Sequence, residues 1–514
     1  MTIPAALALA LTGSLAIEAW DGAGRRPIGR RPGELALRLA GYALLTVFWF
    51  CFSWRPWLAA FSCLLTVAIL VTVSRLKQAV IGEPLVFSDF ALLRQVPRHP
   101  DLYYTRPLTD PRMAIPLGAS LAFVALWYWI EPTALPEEPS VAVLALIGLP
   151  CLLVGLASAI GTGRPAQWLA ARFPRPDLDA DCARYGLPAT IIAYALRWRR
   201  EPPPPPEAGD DGSLRQSGAA PVVVVVQLES FIDPTRLGGP DIPLMEMIRT
   251  RASRHGRLTV PAHGAYTMRT EHAVLTGSEP DNLGFGRYDP YLSNGGDEPA
   301  SLARRAMAAG YATVFVHPFH RDFFHRAEVM RRFGFARLVM EEDFAGAPRI
   351  GPYIGDEALA ARILAEVGAA TTPVFVFAVT MENHGPWKPG RLDGIDDPLA
   401  QYLHHVVHTG RAVETLIAGL EGRDAILCVY GDHAPSLPTC RPGFGDTTTD
   451  YAVFGFGTFH DGPHRIDTTA PELGRFLRSV IGGHRRSDRD RLSPHHRADT
   501  NVTEADPRIV STMR

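Results

Sequence analysis

The chain has 514 residues, 47% of them hydrophobic and 20% charged, and its 51 Lys and Arg nearly balance 53 Asp and Glu for a formal net charge of -2. That length is enough for more than one domain, and the balance of charge excludes the general basic character of a nucleic-acid-binding chain. The six cysteines (Cys51, Cys63, Cys151, Cys182, Cys428 and Cys440) include no Cys-x-x-Cys pair, which argues against a zinc knuckle or a disulfide scaffold.

In chain order, five stretches approach the roughly 20 apolar residues that cross a bilayer: 3–19, 36–53, 57–74, 113–130 and 141–161. The first has no basic n-region and runs into further spans, so it reads as an anchor and not as a cleaved signal. Residues 1–162 are therefore predicted to form a transmembrane domain of five helices, with Trp54, Trp57, Trp127 and Trp129 near the span ends as interfacial aromatics. Between the third and fourth spans, the stretch KQAVIGEPLVFSDFALLRQVPRHPDLYY is too polar to cross and reads as an interfacial segment.

Residues 163–218 form a juxtamembrane region and linker. Seven arginines between Arg164 and Arg200 surround the apolar patch YGLPATIIAYAL, which is predicted as an amphipathic helix on the membrane, with a short sixth span as the alternative. A Pro run followed by Gly, Ser and Asp then reads as a tether.

Residues 219–482 alternate short β-rich runs with helix-like stretches, the pattern of an α/β domain with a largely parallel sheet. The predicted strands are 222–228, 312–317, 373–380, 425–430 and 451–456, nearly all apolar and so covered on both faces by helices. Ser301 is placed to cap a helix that ends at Gly310, and Leu399, Tyr402, Leu403, Val406 and Val407 are spaced as one buried helical face. The tail, 483–514, is polar and predicted to be disordered.

Ligands of open α/β sheets bind beyond the carboxyl ends of the strands. At that edge the sequence places Glu229, His317, His384 and the pair Asp432-His433. The stretch GAYTMRTEHAVLTG (264–277) adds a small flexible entry and a helix-like run, and a helix starting near Thr270 would aim its N–H groups at a bound anion. Arg269 adds a cation beside Thr270, which ranks above Thr267 on that ground; a plain N-cap is the alternative role for either, though neither has the Glu or Gln of a capping box three residues on. Glu229, Asp432, His433 and Thr270 would offer three oxygens and one nitrogen, a set suited to Mn²⁺, Mg²⁺ or Zn²⁺. Such an ion would turn the Thr hydroxyl into a useful nucleophile.

The set LES at 228–230, MRTE at 268–271, FFHR at 323–326, NHGPW at 383–387 and YGDH at 430–433 resembles lipoteichoic acid synthases and their relatives in the alkaline phosphatase and sulfatase superfamily. The resemblance implies a transmembrane helical bundle followed by an α/β alkaline phosphatase-like (sulfatase-like) domain. It implies Thr270 as the nucleophile taking a phosphoryl-linked head group, with Glu229, Asp432 and His433 around one divalent metal, usually manganese in relatives. It also implies that His317, Arg326 and His384 contact the phosphate or its glycerol. Phe324 departs from the family, whose synthases have Trp there. Sulfatases proper need a Cys or Ser in a Cys/Ser-x-Pro-x-Arg motif, and its absence here argues against a sulfate ester hydrolase.

The resulting expectation is a membrane transferase that moves phosphoglycerol from phosphatidylglycerol to a cell-envelope glycan or polymer. A phosphoethanolamine donor and a non-catalytic envelope-binding protein are the alternatives. The resemblance places the catalytic domain on the periplasmic face of the bacterial inner membrane. Arg25, Arg26, Arg30 and Arg31 after the first span oppose that placement by the positive-inside rule unless a sixth span intervenes.

Overall fold

Helices that are apolar around their whole circumference need neighbours or lipid, and the chain begins with a bundle of them. The computed structural model describes residues 2–21, 31–92, 110–160, 162–202, 220–292, 300–438, 440 and 448–481. The tail after 482 and the Pro-rich tether at 203–219 lie outside these residues. Helices α1 (Thr2–Asp21), α2 (Pro32–Ser53) and α3 (Pro56–Ile81) pack on one another around Ala10, Tyr42, Cys63 and Val67. After the short α4 (Asp89–Leu92), α5 (Pro111–Ile130) lies against α3 through Phe61 and Phe123, and α6 (Pro139–Ile160) buries no side chain in the protein. Four of these helices are long and apolar enough to cross a membrane, and α5 carries the shorter apolar stretch Ala114–Ile130.

Polar contacts define the two ends of the bundle. At one end, the Glu131 carboxylate accepts the N–H groups of Trp57 (2.9 Å) and Leu58 (2.8 Å), capping α3, while Arg55 donates to the Glu131 carbonyl at 2.7 Å. At the other end, Glu18 of α1 accepts from Arg38 (2.7 Å) and Tyr42 (2.5 Å) of α2 and from the Leu187 N–H (2.8 Å). Leu187 opens α9 (Leu187–Trp198), which follows α7 (Gly163–Arg172) and α8 (Leu178–Tyr185).

The apolar patch that allowed a sixth span is this α9. Its 12 residues rise about 18 Å, too little for a hydrocarbon core of about 30 Å. One part of the helix sits on Gly41 of α2, and Tyr194 packs on Phe285 and Tyr288 of the following domain. It bridges bundle and catalytic domain.

The second domain is built on strands β1 (Val222–Leu228), β2 (Arg254–Thr259), β3 (Ala312–Val316), β4 (Arg337–Val339), the separate hairpin β5 (Arg349–Ile350) and β6 (Tyr353–Ile354), β7 (Val374–Val379), β8 (Ala425–Gly431), β9 (Thr449–Phe456), β10 (His464–Arg465) and β11 (Thr468–Thr469). The sheet order is β10-β2-β9-β8-β1-β7-β3-β4, with β11 pairing β2. The strands from β8 to β4 are parallel, and β9 turns the direction by pairing antiparallel to β8. Alternation within β1 shows why its valines read as a continuous run. Val224 and Val226 face a core with α10 (Pro243–Arg251), α14 (Asp356–Ala369) and α15 (Pro398–Leu420). Val223 and Val225 face the opposite core with α11 (Thr267–Thr276), α12 (Leu302–Ala308), α13 (Arg326–Arg332) and α16 (Ala470–Ile481).

Ser301 caps α12, accepting the Arg304 N–H at 3.3 Å. On α15, Tyr402 and Val406 are buried but Val407 points outward, a correction to the expected buried face. Strand β2 carries RHGRLT, which lacks the apolar signal and was not expected. Cys428 and Cys440 are free thiols in opposite cores.

Glu18, Arg38, α9 and the catalytic domain meet at one end of the bundle, so the end of α1 at Asp21 and the start of α2 at Pro32 both lie at that end. Compartment reporters fused at Gly29 and after Val480 should therefore give the same reading in intact cells. Opposite readings would contradict this packing.

Candidate active site

Strands β1 and β8 are parallel neighbours with Leu228 opposite Gly431, so the residues that follow them emerge together at the carboxyl edge. Glu229, Asp432 and His433 are all buried, with ligand atoms within 4.8 Å of one another. His433 Nε2 lies 3.5 Å from Glu229 Oε1 and 3.3 Å from Asp432 Oδ2. Asp432 Oδ1 accepts two main-chain N–H groups, from Ser230 and His433, each at 2.8 Å. Its other oxygen, Oδ2, is buried with no hydrogen-bond donor. Glu229 is held from behind by Thr380, whose hydroxyl accepts the Glu229 N–H, and by the Ser230 hydroxyl at 2.9 Å from Oε1. Gly431 permits the close approach, since a Cβ there would fall 2.0 Å from the Phe231 carbonyl oxygen.

This arrangement fits a divalent cation. Burial, and next the neighbouring Asp432 charge, push the Glu229 carboxyl well above the usual range. Two desolvated carboxylates within 4.8 Å of each other, one with an unused oxygen, are a cost that a bound metal removes.

The two threonines exchange the ranks that the sequence suggested. Helix α11 begins at Thr267, one turn earlier than expected, because Tyr266 before it adopts a left-handed conformation (φ 64°). The Thr267 hydroxyl points to Glu229 Oε2 at 3.4 Å. Thr270, a turn further on, is fully buried and donates to the Asp432 main-chain carbonyl at 2.6 Å. Arg269 turns away from the acidic set to pair with Glu83. The cation that favoured Thr270 in the sequence is therefore committed elsewhere.

A second group of side chains adjoins the acidic set. Arg326, 2% exposed, donates to His317 Nε2 (2.7 Å) and to Glu271 (2.8 Å). His317 Nδ1 donates to the Val379 carbonyl at 3.0 Å, which fixes a neutral ring accepting from Arg326. Burial and then Arg326 hold His317 well below its usual pKa. His384 is lowered to about 3, by burial first and then by His433, Arg391 and Arg326. The ring of Phe324 lies 5.9 Å from the Arg326 guanidinium, on a left-handed backbone shared with His325.

The sequence reading missed Glu271, Ser230 and Thr380, and also His263. Both ring nitrogens of His263 are buried without partners, and burial followed by His433 lowers it to about 4. Glu271 and Ser230 were legible in principle as the last residues of MRTE and LES; Thr380 and His263 carry no local signal.

A family profile described as Sulfatase matches residues 221–470. The capsular polysaccharide biosynthesis protein RkpI of Rhizobium meliloti (strain 1021) is 34% identical over 432 residues, 81% of this chain and 80% of that protein. The integral membrane lipooligosaccharide phosphoethanolamine transferase A (EptA) from Neisseria meningitidis is similar in structure over 93% of this chain and 95% of its own, with a TM-score of 0.53 and 13% identity. The Streptococcus pyogenes phosphoglycerol transferase GacH in complex with sn-glycerol-1-phosphate matches 56% of this chain and 84% of its own, with a TM-score of 0.41 and 18% identity.

Glu229→Gln and Asp432→Asn should each weaken divalent-ion binding by more than about tenfold, a scale on which even outer partners of a metal site act. Without metal, each should raise the melting temperature, because one of two repelling buried charges is gone. Titration calorimetry and thermal melts check both, and unchanged affinity in both variants would place the ion elsewhere.

Proposed function

This chain belongs to the sulfatase family, and from that premise we propose that it is a membrane-embedded transferase carrying phosphoglycerol from phosphatidylglycerol to a cell-envelope glycan through a phospho-Thr267 intermediate. The observation that carries the reading is the Thr267 hydroxyl at the Glu229 carboxylate, at the head of α11.

Glu229, Asp432, His433 and Thr267 would hold the metal. Bound there, a divalent ion lowers the hydroxyl pKa and neutralises phosphoryl charge. Manganese is the ion proposed, and magnesium or zinc suits the same donors. Thr267 Oγ1 attacks phosphorus, the bond from phosphorus to the diacylglycerol oxygen breaks, and diacylglycerol leaves carrying the proton. An acceptor hydroxyl then attacks phosphorus, the bond to Thr267 breaks, and the acceptor's proton restores the threonine hydroxyl. Arg326 and the first-turn N–H groups of α11 face the anion throughout.

The choice of donor rests on the wall beyond the acidic set. Arg326, His317, His384 and Phe324 present no carboxylate, and the neighbouring Glu271 pairs through Oε2 with the Arg326 guanidinium. An ammonium head group would meet the Arg326 cation there, whereas a glycerol hydroxyl can bond His384 through Nε2, its Nδ1 being held on the Gly385 carbonyl. The glycan acceptor is supported by the similarity to RkpI. Substrate chemistry supports the periplasmic face, and the basic segment after α1 opposes it.

With phosphatidylglycerol vesicles, Thr267→Ala should lower diacylglycerol release by roughly 10³-fold or more, as loss of an attacking hydroxyl does. Thr270→Ala should cost about 1 kcal/mol of stability for its lost hydrogen bond and still form the adduct. Mass spectrometry should find phosphoglycerol on Thr267. An adduct on Thr270 would overturn the assignment, and faster release from phosphatidylethanolamine vesicles would overturn the donor.

A further inference from the structure

We propose that Glu83 and Asp89, in the segment that follows α3, are positioning residues of the active site, holding the first turn of α11 so that the nucleophile is set only when the catalytic domain is docked on its membrane bundle. The proposal rests on Thr267 being the attacking group.

Thr267 is flanked by two residues whose side chains leave the catalytic domain. Tyr266, immediately before it, is left-handed, a conformation unfavourable for a bulky residue that persists only when its surroundings impose it. Its hydroxyl donates to Asp89 Oδ1. The other Asp89 oxygen accepts from Lys77 at 2.8 Å and from the Val86 N–H at 2.7 Å. The Lys77 ammonium lies 5.2 Å from the Tyr266 ring centroid and the Arg269 guanidinium 4.1 Å from it. Arg269 donates to both Glu83 oxygens, at 2.8 and 3.1 Å, and through Nε to the Tyr288 carbonyl at 3.0 Å. Lys77 also reaches Glu83, at 2.9 Å.

The pairs are well shielded, with side-chain exposures of 7% for Arg269, 8% for Lys77 and 20% for Glu83. Bidentate charged bonds of this kind fix direction as well as distance. Burial works to raise the Glu83 carboxyl, but Arg269 and Lys77 outweigh it and hold it down to about 2.

The same segment also touches the metal-ligand loop. The Ser436 hydroxyl donates to the Val80 carbonyl at 2.8 Å, three residues past His433, and the Gly264 N–H donates to the Ala434 carbonyl at 3.0 Å. The end of α3 therefore contacts both loops that must come together, the one before Thr267 and the one after His433. Nothing within α11 replaces these contacts, because its N-cap residue makes no side-chain cap bond. A second consequence is placement: Thr267 is tied to the end of the apolar helix α3.

The test uses full-length protein in phosphatidylglycerol vesicles, with Glu83→Gln, Asp89→Asn, Tyr266→Phe and the Asp89→Asn/Tyr266→Phe double variant. Adduct formation on Thr267, counted per folded molecule, should slow roughly 10- to 100-fold with KM for the lipid unchanged, the scale of a small misplacement of a reacting group. The double variant should be no slower than the slower single one, since Asp89 acts through Tyr266. Hydrogen exchange should accelerate at residues 265–268 and stay unchanged in β1 and β8. Per-molecule rates and exchange indistinguishable from wild type would overturn the proposal, as would protection lost equally across the sheet. A wild-type protein that forms no Thr267 adduct would instead sink the functional reading, and the exchange result would still decide the positioning role.

Discussion

Two carboxylates buried side by side are the constraint around which this protein is arranged. Glu229 and Asp432 meet because β1 and β8 are parallel neighbours that end in register, and both are buried away from bulk solvent. Left alone, the pair would repel and push a proton onto Glu229. The surrounding groups steer the charge without neutralising it. Main-chain N–H groups occupy one Asp432 oxygen, Ser230 occupies one Glu229 oxygen, and Asp432 Oδ2 is left buried without a hydrogen bond, 3.3 Å from His433 Nε2. Holding that geometry requires unusual backbone. Ser230, Tyr266, Phe324 and His325 are all left-handed without being glycine, and they ring the site.

The second organising fact is that the bundle and the catalytic domain share polar contacts at one end. Glu18, held by Arg38 and Tyr42, accepts the first N–H of α9 while Arg38 also reaches the Ala183 carbonyl, and Asp89 and Glu83, both held by Lys77, bind Tyr266 and Arg269 at the head of α11. The first set lies between spans and the bridging helix, and the second between a span and the nucleophile helix. Buried ion pairs are a weak source of net stability, and their better-attested use is to specify one arrangement over others. Here that arrangement brings the reacting edge of the sheet down to the bundle.

The sequence disclosed the parts whose signal is local. Five valines in β1 and the apolar runs of β7 and β8 announced strands covered on both faces, and the charged residues after them announced the edge where ligands gather. Glu229, Asp432 and His433 followed from that rule, and the structure brings them together. The threonine ranking was not legible in the same way, because the start of α11 is set by a left-handed Tyr266, and tyrosine carries no turn signature. Arg269 looked like a catalytic cation only because its partner, Glu83, is 186 positions away in the chain. Strand β2 escaped notice for the opposite reason: RHGRLT is polar, and it forms through pairing with β9 and not through any pattern of its own. The apolar patch in α9 was ambiguous until its two contacts, one on α2 and one on Phe285, showed it to be a bridge.

The central claim is that the buried acidic-histidine set holds one cation with the Thr267 hydroxyl beside it. Anomalous diffraction from crystals of the full-length protein grown with manganese measures this directly. One strong peak is expected within bonding distance of Glu229, Asp432, His433 and Thr267 Oγ1, with Thr270 still bonded to the Asp432 carbonyl. A peak that takes Thr270 as its ligand in place of Thr267, or one that lies away from the two carboxylates, would contradict it.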